Sequence, residues 1–257
     1  MRDVIVLIIG VLAVLFAFGY AVRRLSRGPG DMKRLALFFA LLIAAVAGLW
    51  TWAYPSATWR YRLTLEVETP EGLKTGSSVI EVQVKDGPSF NPEGARMVFV
   101  RGEAVAVNLG ARGVLFALLS SERSTDHAQY IVYETFPWPG GPGGQITKVG
   151  RAFYQSLQAK AELPTDRLPM LVRFKNINDP KTVERVDPGN LATSFGEGVK
   201  LIKTIIEMTK DPVTTGIEKY LSWLVALKGG YLHGGFTSRD APLGLHGGDF
   251  SRSILWQ

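Results

Sequence analysis

Two long runs without a charged residue flank the densest positive stretch in this chain, and that arrangement restricts its fold more than any other feature. The first, VIVLIIGVLAVLFAFGYA, covers residues 4–21, and the second, LALFFALLIAAVAGLWTWAY, covers 35–54. As helices they would be about 27 and 30 Å long, which matches the roughly 30 Å hydrocarbon core of a bilayer. Between them, VRRLSRGPGDMKR carries Arg23, Arg24, Arg27, Lys33 and Arg34 against a single acid, Asp31. The pattern predicts a transmembrane hairpin over residues 1–57, with helices near 4–21 and 35–54 and a basic loop at 22–34. Short loops rich in Lys and Arg stay on the cytoplasmic side. The expected topology is therefore two-pass, with everything after the second helix outside the cytoplasm. Trp50, Trp52, Tyr54 and Trp59 cluster where that helix would leave the lipid, as interfacial aromatic residues do, and Pro55 is positioned to end it. Starting at Met32, the second run also reads as a secretory signal; its cleavage site is poor, so an uncleaved anchor is expected, with Met1 and Met32 both open as starts.

Small residues recur every four positions along both runs: Ala13, Ala17 and Ala21 on the first, and Ala36, Ala40, Ala44 and Gly48 on the second. Such stripes let membrane helices approach closely, either each other or helices of another subunit.

The 257-residue chain has a formal net charge of +6. Residues 1–57 account for most of it, with six basic and two acidic side chains. The remaining 200 residues are nearly balanced, which leaves no basic stripe to track phosphates, so nucleic acid is not an expected partner. With no cysteine, disulfides, thiol catalysis and thiolate metal sites are excluded.

Residues 58–257 read as a β-rich, mainly antiparallel domain, sandwich or open barrel-like, with one or two helices. RYRLTLEVET (60–69) and SVIEVQVK (78–85) alternate apolar and polar residues and are joined by turn residues, predicting a hairpin. Further strands are expected in RMVFVRG, EAVAVNL and GVLFALLS, and in AQYIVYETF (128–136), MLVRFKNI (170–177) and VKLIKTIIEMT (199–209), the last being also long enough for a helix. Helices are predicted at 146–163, with Val149, Phe153 and Leu157 inward, and at 214–227, with Ile217, Leu221 and Leu224 or Val225 inward. A glycine-rich tail is expected at about 229–250.

The chemistry-bearing motifs are weak. The strand–glycine loop–helix order over 130–153 lacks the Gly-Lys-Ser/Thr ending of a P-loop, and Pro139 and Pro142 remove amide donors; residues 138–145 read as a flexible loop. Asp179-Pro180, Asp187-Pro188 and Asp211-Pro212 read as turns rather than as a calcium site, because the oxygen spacing of an EF-hand loop is absent. His233 and His246 lie in near-repeats, YLHGGF and GLHGGDF, and with Asp249 or Asp240 they are the only metal-ligand candidates. SSERSTDH (120–127) places Ser, Asp126 and His127 together, but sequence adjacency is not the mark of a catalytic triad. No catalytic residue, cofactor or metal is expected.

RYRLTLEVETPEGLKTGSSVIEV (60–82), LVRFKNINDPKTVERVDPGNLATSFGEGVKL (171–201) and DPVTTGIEKYLSWL (211–224) resemble a group of uncharacterised bacterial membrane-anchored or exported proteins. The likeness covers most of residues 59–225. It implies a bacterial source and an exported domain, and offers no catalytic residue. The expected protein is thus anchored in the bacterial inner membrane with its C-terminal domain in the periplasm. It is expected to act as an accessory or scaffold subunit of a larger membrane assembly, with the lipid bilayer and other membrane subunits as partners. The alternatives are a periplasmic hydrolase using His127 with Asp126, or the C-terminal His pair, and a small-ligand binding or sensor protein whose 138–145 loop closes a pocket.

Overall fold

A computed structural model of the chain describes residues 16, 19–20, 31–87, 95–227, 229–235 and 241–253. Ala13, Ala17, Ala21, Arg23, Arg24 and Arg27 lie outside the described residues, as does Asp240; Phe16, Gly19 and Tyr20 are helical. The chain divides into two units, one of residues 1–57 with 84–97 and the other of 58–83 with 98–257.

The first unit contains helix α1, Asp31–Ala53. It begins four residues before the expected boundary, so Asp31, Met32, Lys33 and Arg34 form its first turn rather than the end of a loop. It ends where Tyr54 precedes Pro55, because the proline ring disfavours helical geometry at the residue before it. Leu37, Leu41, Ile43, Val46 and Leu49 are all exposed. At 3.6 residues per turn these positions fall roughly 0°, 40°, 240°, 180° and 120° around the axis, so the apolar surface encircles the helix. Ala36, Ala40, Ala44 and Gly48 are exposed within it. Side chains of α1 are described for 36–49 and Thr51; among the described residues no helix is long and apolar enough to cross a membrane. In the same unit Asp86 pairs with Arg96 at 3.2 Å, and the Asp86 amide donates to the Pro55 carbonyl at 3.4 Å.

The second unit is a β-rich antiparallel domain with a few short helices. Strands β1 (Ser56–Thr69), β2 (Gly72–Gly87) and β3 (Ala95–Arg101) run across the division between the units. They join β6 (Lys160–Glu162) and β9 (Lys200–Thr209) in a five-stranded sheet of order β3-β2-β1-β9-β6. A second sheet has the order β4-β5-β7-β8, from Val105–Asn108, Val114–Ala117, Leu171–Phe174 and Val183–Arg185. Neither strand order closes into a barrel. The predicted hairpin of β1 and β2 is present. Its turn needs Gly72, which has φ +113°, a conformation that costs residues with a Cβ.

Period-two burial along β1 is regular: Trp59, Tyr61, Leu63, Leu65 and Val67 are buried, and the residues between them are not. Each such side chain contributes roughly 1.5–3 kcal/mol when removed from water. β1 pairs antiparallel with β9, Tyr61 opposite Met208 and Leu65 opposite Thr204, with a register shift after Glu66. The core beside the second sheet is built from Phe116, Val172 and Val183 together with Leu221, Leu224, Leu232, Leu245 and Phe250.

Several expectations are corrected. Residues 128–136 are not a strand: helix α2 spans His127–Thr135, with Ala128, Ile131 and Val132 buried at helical spacing. The helix expected over 146–163 is reduced to α3, Lys148–Ser156, and its inward residues are Gly150, Arg151 and Tyr154, while Val149 is exposed. Beyond it, Lys160–Glu162 leaves the helix to pair with β9. The 214–227 segment holds a 3-10 turn at Ile217–Lys219 and a short α-helix at Leu224–Leu227 in place of one helix, with Ile217, Leu221 and Leu224 inward as expected. Trp59 belongs to no exposed aromatic belt. It is 4% exposed and packs on Tyr133 and Tyr154, with ring centroids 5.6 and 5.8 Å away. Among the described residues of the glycine-rich 229–250 segment, Leu232, Leu245 and Phe250 sit in the core.

Candidate functional site

A cleft of about 320 Å³ lies at the head of α2 in the β-rich domain. Its walls are the 121–127 turn, one side of α2 through Tyr130 and Glu134, the 165–171 segment, and Val186 with Pro188. The turn is held by its own serines. Ser121 Oγ accepts from the amides of Arg123 (3.3 Å) and Ser124 (3.2 Å), and Ser124 Oγ accepts from the amide of Asp126 (3.1 Å). Backbone bonds then attach this turn to its surroundings: Ala128 N donates to Leu119 O at 3.0 Å, and Met170 N donates to Ser120 O at 3.0 Å.

Two arginines span the cleft. Arg123 donates to the carbonyl of Asp166, and Arg167 Nη1 donates to the carbonyl of Glu134 at 2.7 Å. Arg185 pairs with Glu122 at 3.1 Å. His127, the first residue of α2, is 7% exposed, and its Nε2 is buried without a hydrogen-bond partner among the described residues. Burial, with Arg123 nearby, pushes its pKa down to about 4. The imidazole is therefore neutral at pH 7. Asp126 occupies the N-cap position but makes no side-chain cap bond. The Ser121 and Ser124 hydroxyls are occupied by amides of their own turn, Ser120 Oγ is buried without a partner among the described residues, and the histidine pKa lies well below the near-neutral range suited to a general base. The run SSERSTDH is thus a structural turn that carries a wall of the cleft.

A second, shallower groove of about 1000 Å³ runs past Thr58, Trp59, Arg60, Gln155 and Lys210. Trp59 Nε1 is buried there without a partner among the described residues.

The two histidine near-repeats do meet. Tyr231 bridges His246 in antiparallel fashion, and Leu232 N donates to Leu245 O at 3.1 Å. The Tyr231 ring lies 6.2 Å from that of His233 and 5.9 Å from that of His246. Asp249, 2% exposed, accepts from the His246 amide at 2.9 Å and lies 3.7 Å from His246 Nδ1. As the third residue of the helical turn Gly247–Phe250, it reaches back to the amide of the N-cap residue His246 as in a capping box. Among the described residues no group of three or more His, Cys, Asp or Glu side chains is placed to hold a metal ion.

The 138–145 loop is a packed turn. The Trp138 indole lies against Gly140 and Gly144, leaving no room for a Cβ at either, and stacks edge-on to Phe153 at 5.2 Å. Two of the Asp-Pro pairs form the expected side-chain turns: Asp179 accepts from Lys181 N at 3.0 Å, and Asp187 accepts from Gly189 N at 2.8 Å. Asp211 instead pairs with Arg62. Of the proposed interfacial and topology residues, Tyr54 is half-buried, and the side chains of Lys33, Arg34, Trp50 and Trp52 lie outside the described residues.

No protein-family model, no curated protein and no solved structure matches this chain.

Proposed function

We infer that this chain is a two-pass protein of the bacterial inner membrane that displays its β-rich domain in the periplasm as an accessory or scaffold subunit of a larger membrane assembly. The observation that carries this reading is the apolar girdle of α1. Leu37, Leu41, Ile43, Val46 and Leu49 are exposed on every side of the helix. A helix apolar all round requires an apolar environment on all sides. Lipid and neighbouring membrane helices supply that environment, and the basic residues between the two apolar runs set the orientation. The exposed stripe of Ala36, Ala40, Ala44 and Gly48 suits close helix packing. A reporter enzyme active only outside the cytoplasm, fused after Gln257, should be active, and its cytoplasmic counterpart silent. The opposite pair of signals overturns the placement. Crosslinking in native membranes followed by mass spectrometry should then return a reproducible membrane partner, and recovery of the monomer alone removes the scaffold role.

The cleft at the head of α2 favours a second reading, a small-ligand binding or sensor protein of the cell envelope. At about 320 Å³ it lies at the lower end of small-molecule sites. Hydrolysis has less support, because His127 lacks a partnered nucleophile.

A further inference from the structure

The chemistry of the cleft narrows the ligand, and this step rests on the second reading above. The charged side chains lining it are Arg123 and Arg167 on one side of the balance, and Glu122, Glu134 and Asp166 on the other. Arg185 neutralises Glu122 from outside the cleft, and His127 is uncharged at pH 7. Two arginines and two acidic residues therefore remain in balance along the lining. A simple anion or cation would gain one pair of attractions and suffer the other pair as repulsions. A molecule carrying both charges can use both.

The arginines are already oriented. Each gives one N–H to a backbone carbonyl across the cleft, Arg123 to Asp166 and Arg167 to Glu134. A guanidinium has five N–H donors, so each retains donors suited to a carboxylate. Leu168, Met170 and Val186 add an apolar wall, fit for a hydrocarbon substituent. The volume equals that of about ten water molecules, which limits the ligand to a small metabolite.

We propose that this cleft binds a small zwitterion of the class of a free α-amino acid with an apolar side chain. The carboxylate is held by Arg123 and Arg167, the ammonium group by Glu134 and Asp166, and the side chain rests on Leu168 and Met170.

Calorimetric titration of the detergent-solubilised full chain with L-leucine, N-acetyl-leucine and leucinamide tests this. Leucine should bind, and each analogue, having lost one charge, should bind about tenfold more weakly or worse. Arg167→Gln should weaken leucine while leaving the residual affinity for leucinamide unchanged, and Glu134→Gln should do the same for N-acetyl-leucine; thermal melts establish that both variants fold. If either fails to fold, the three probes on the wild-type chain still decide. Equal binding of all three, or binding of one analogue without leucine, overturns the zwitterion assignment while the small-ligand reading stands. No heat from any probe up to about 10 mM removes both.

Discussion

At the scale of single residues, the fate of His127 depends on burial rather than on its neighbours in sequence. Placed first in α2 and under the 121–126 turn, it is held neutral, with its pKa lowered to about 4 from 6.5. A group whose pKa is depressed by folding adds stability that is present above its unfolded pKa and is lost as pH falls through the folded value. The window therefore runs from about pH 6.5 down to about pH 4, and the full effect is about 3 kcal/mol. Chemical denaturation of His127→Phe beside the wild type should show it. The variant keeps a ring and loses the titration, so the stability lost between pH 7 and pH 4.5 should be smaller in the variant; parallel curves would contradict the assignment. Trp59 makes the same point without titration. Its spacing from Trp50 and Trp52 reads as part of a belt, yet it falls on the inward phase of β1 and is sealed by Tyr133 and Tyr154.

At the scale of elements, strands were legible where alternation was long. β1, β2 and β9 are each ten residues or more; β1 keeps its alternating phase throughout, whereas β9 exposes Ile202 and buries Thr204 beside a register shift. The segment 127–135 was misread because Ile131, Val132 and two tyrosines favour strands by composition, whereas the buried set Ala128, Ile131 and Val132 has helical spacing. Helix α3 had the right type and the wrong face, since Tyr154, whose hydroxyl donates to Phe136 O at 3.0 Å, is its anchor rather than Val149. Its start rests on a local cap: Thr147 Oγ1 accepts from Gly150 N at 3.1 Å. Thr147→Ala should lower the free energy of unfolding by about 1 kcal/mol, and Thr147→Ser should restore most of it; equal midpoints for all three proteins would show that the cap is not needed.

At the scale of the whole molecule, within the β-rich unit, distant segments meet around Glu103. Its carboxylate accepts from Ile217 N at 2.8 Å and from Ser251 Oγ at 3.4 Å, and its carbonyl accepts from Ser78 Oγ at 2.6 Å. Next to it, Ala104 N donates to Phe250 O at 2.8 Å. Phe250, fully buried, touches Phe116, Phe174 and Trp223. Phe250→Ala should therefore cost about 3–5 kcal/mol in denaturant unfolding, a loss that a mere tail would not produce; a change below about 1 kcal/mol would return the segment to the surface.

The amino-acid order alone determined the apolar run that becomes α1, its stop at Pro55, the long alternating strands and two of the three Asp-Pro turns. Each of these depends on a charge-free length, a ring or a period that a few neighbouring residues specify. Only the tertiary structure decided that His127 is buried, that two arginines reach across to carbonyls at 166 and 134, that Trp59 faces inward and that the histidine repeats pair around Tyr231. Those outcomes join residues from 15 positions apart (Tyr231 and His246) to 95 (Trp59 and Tyr154), and no local pattern specifies which distant surface a glycine-rich or short segment will cover.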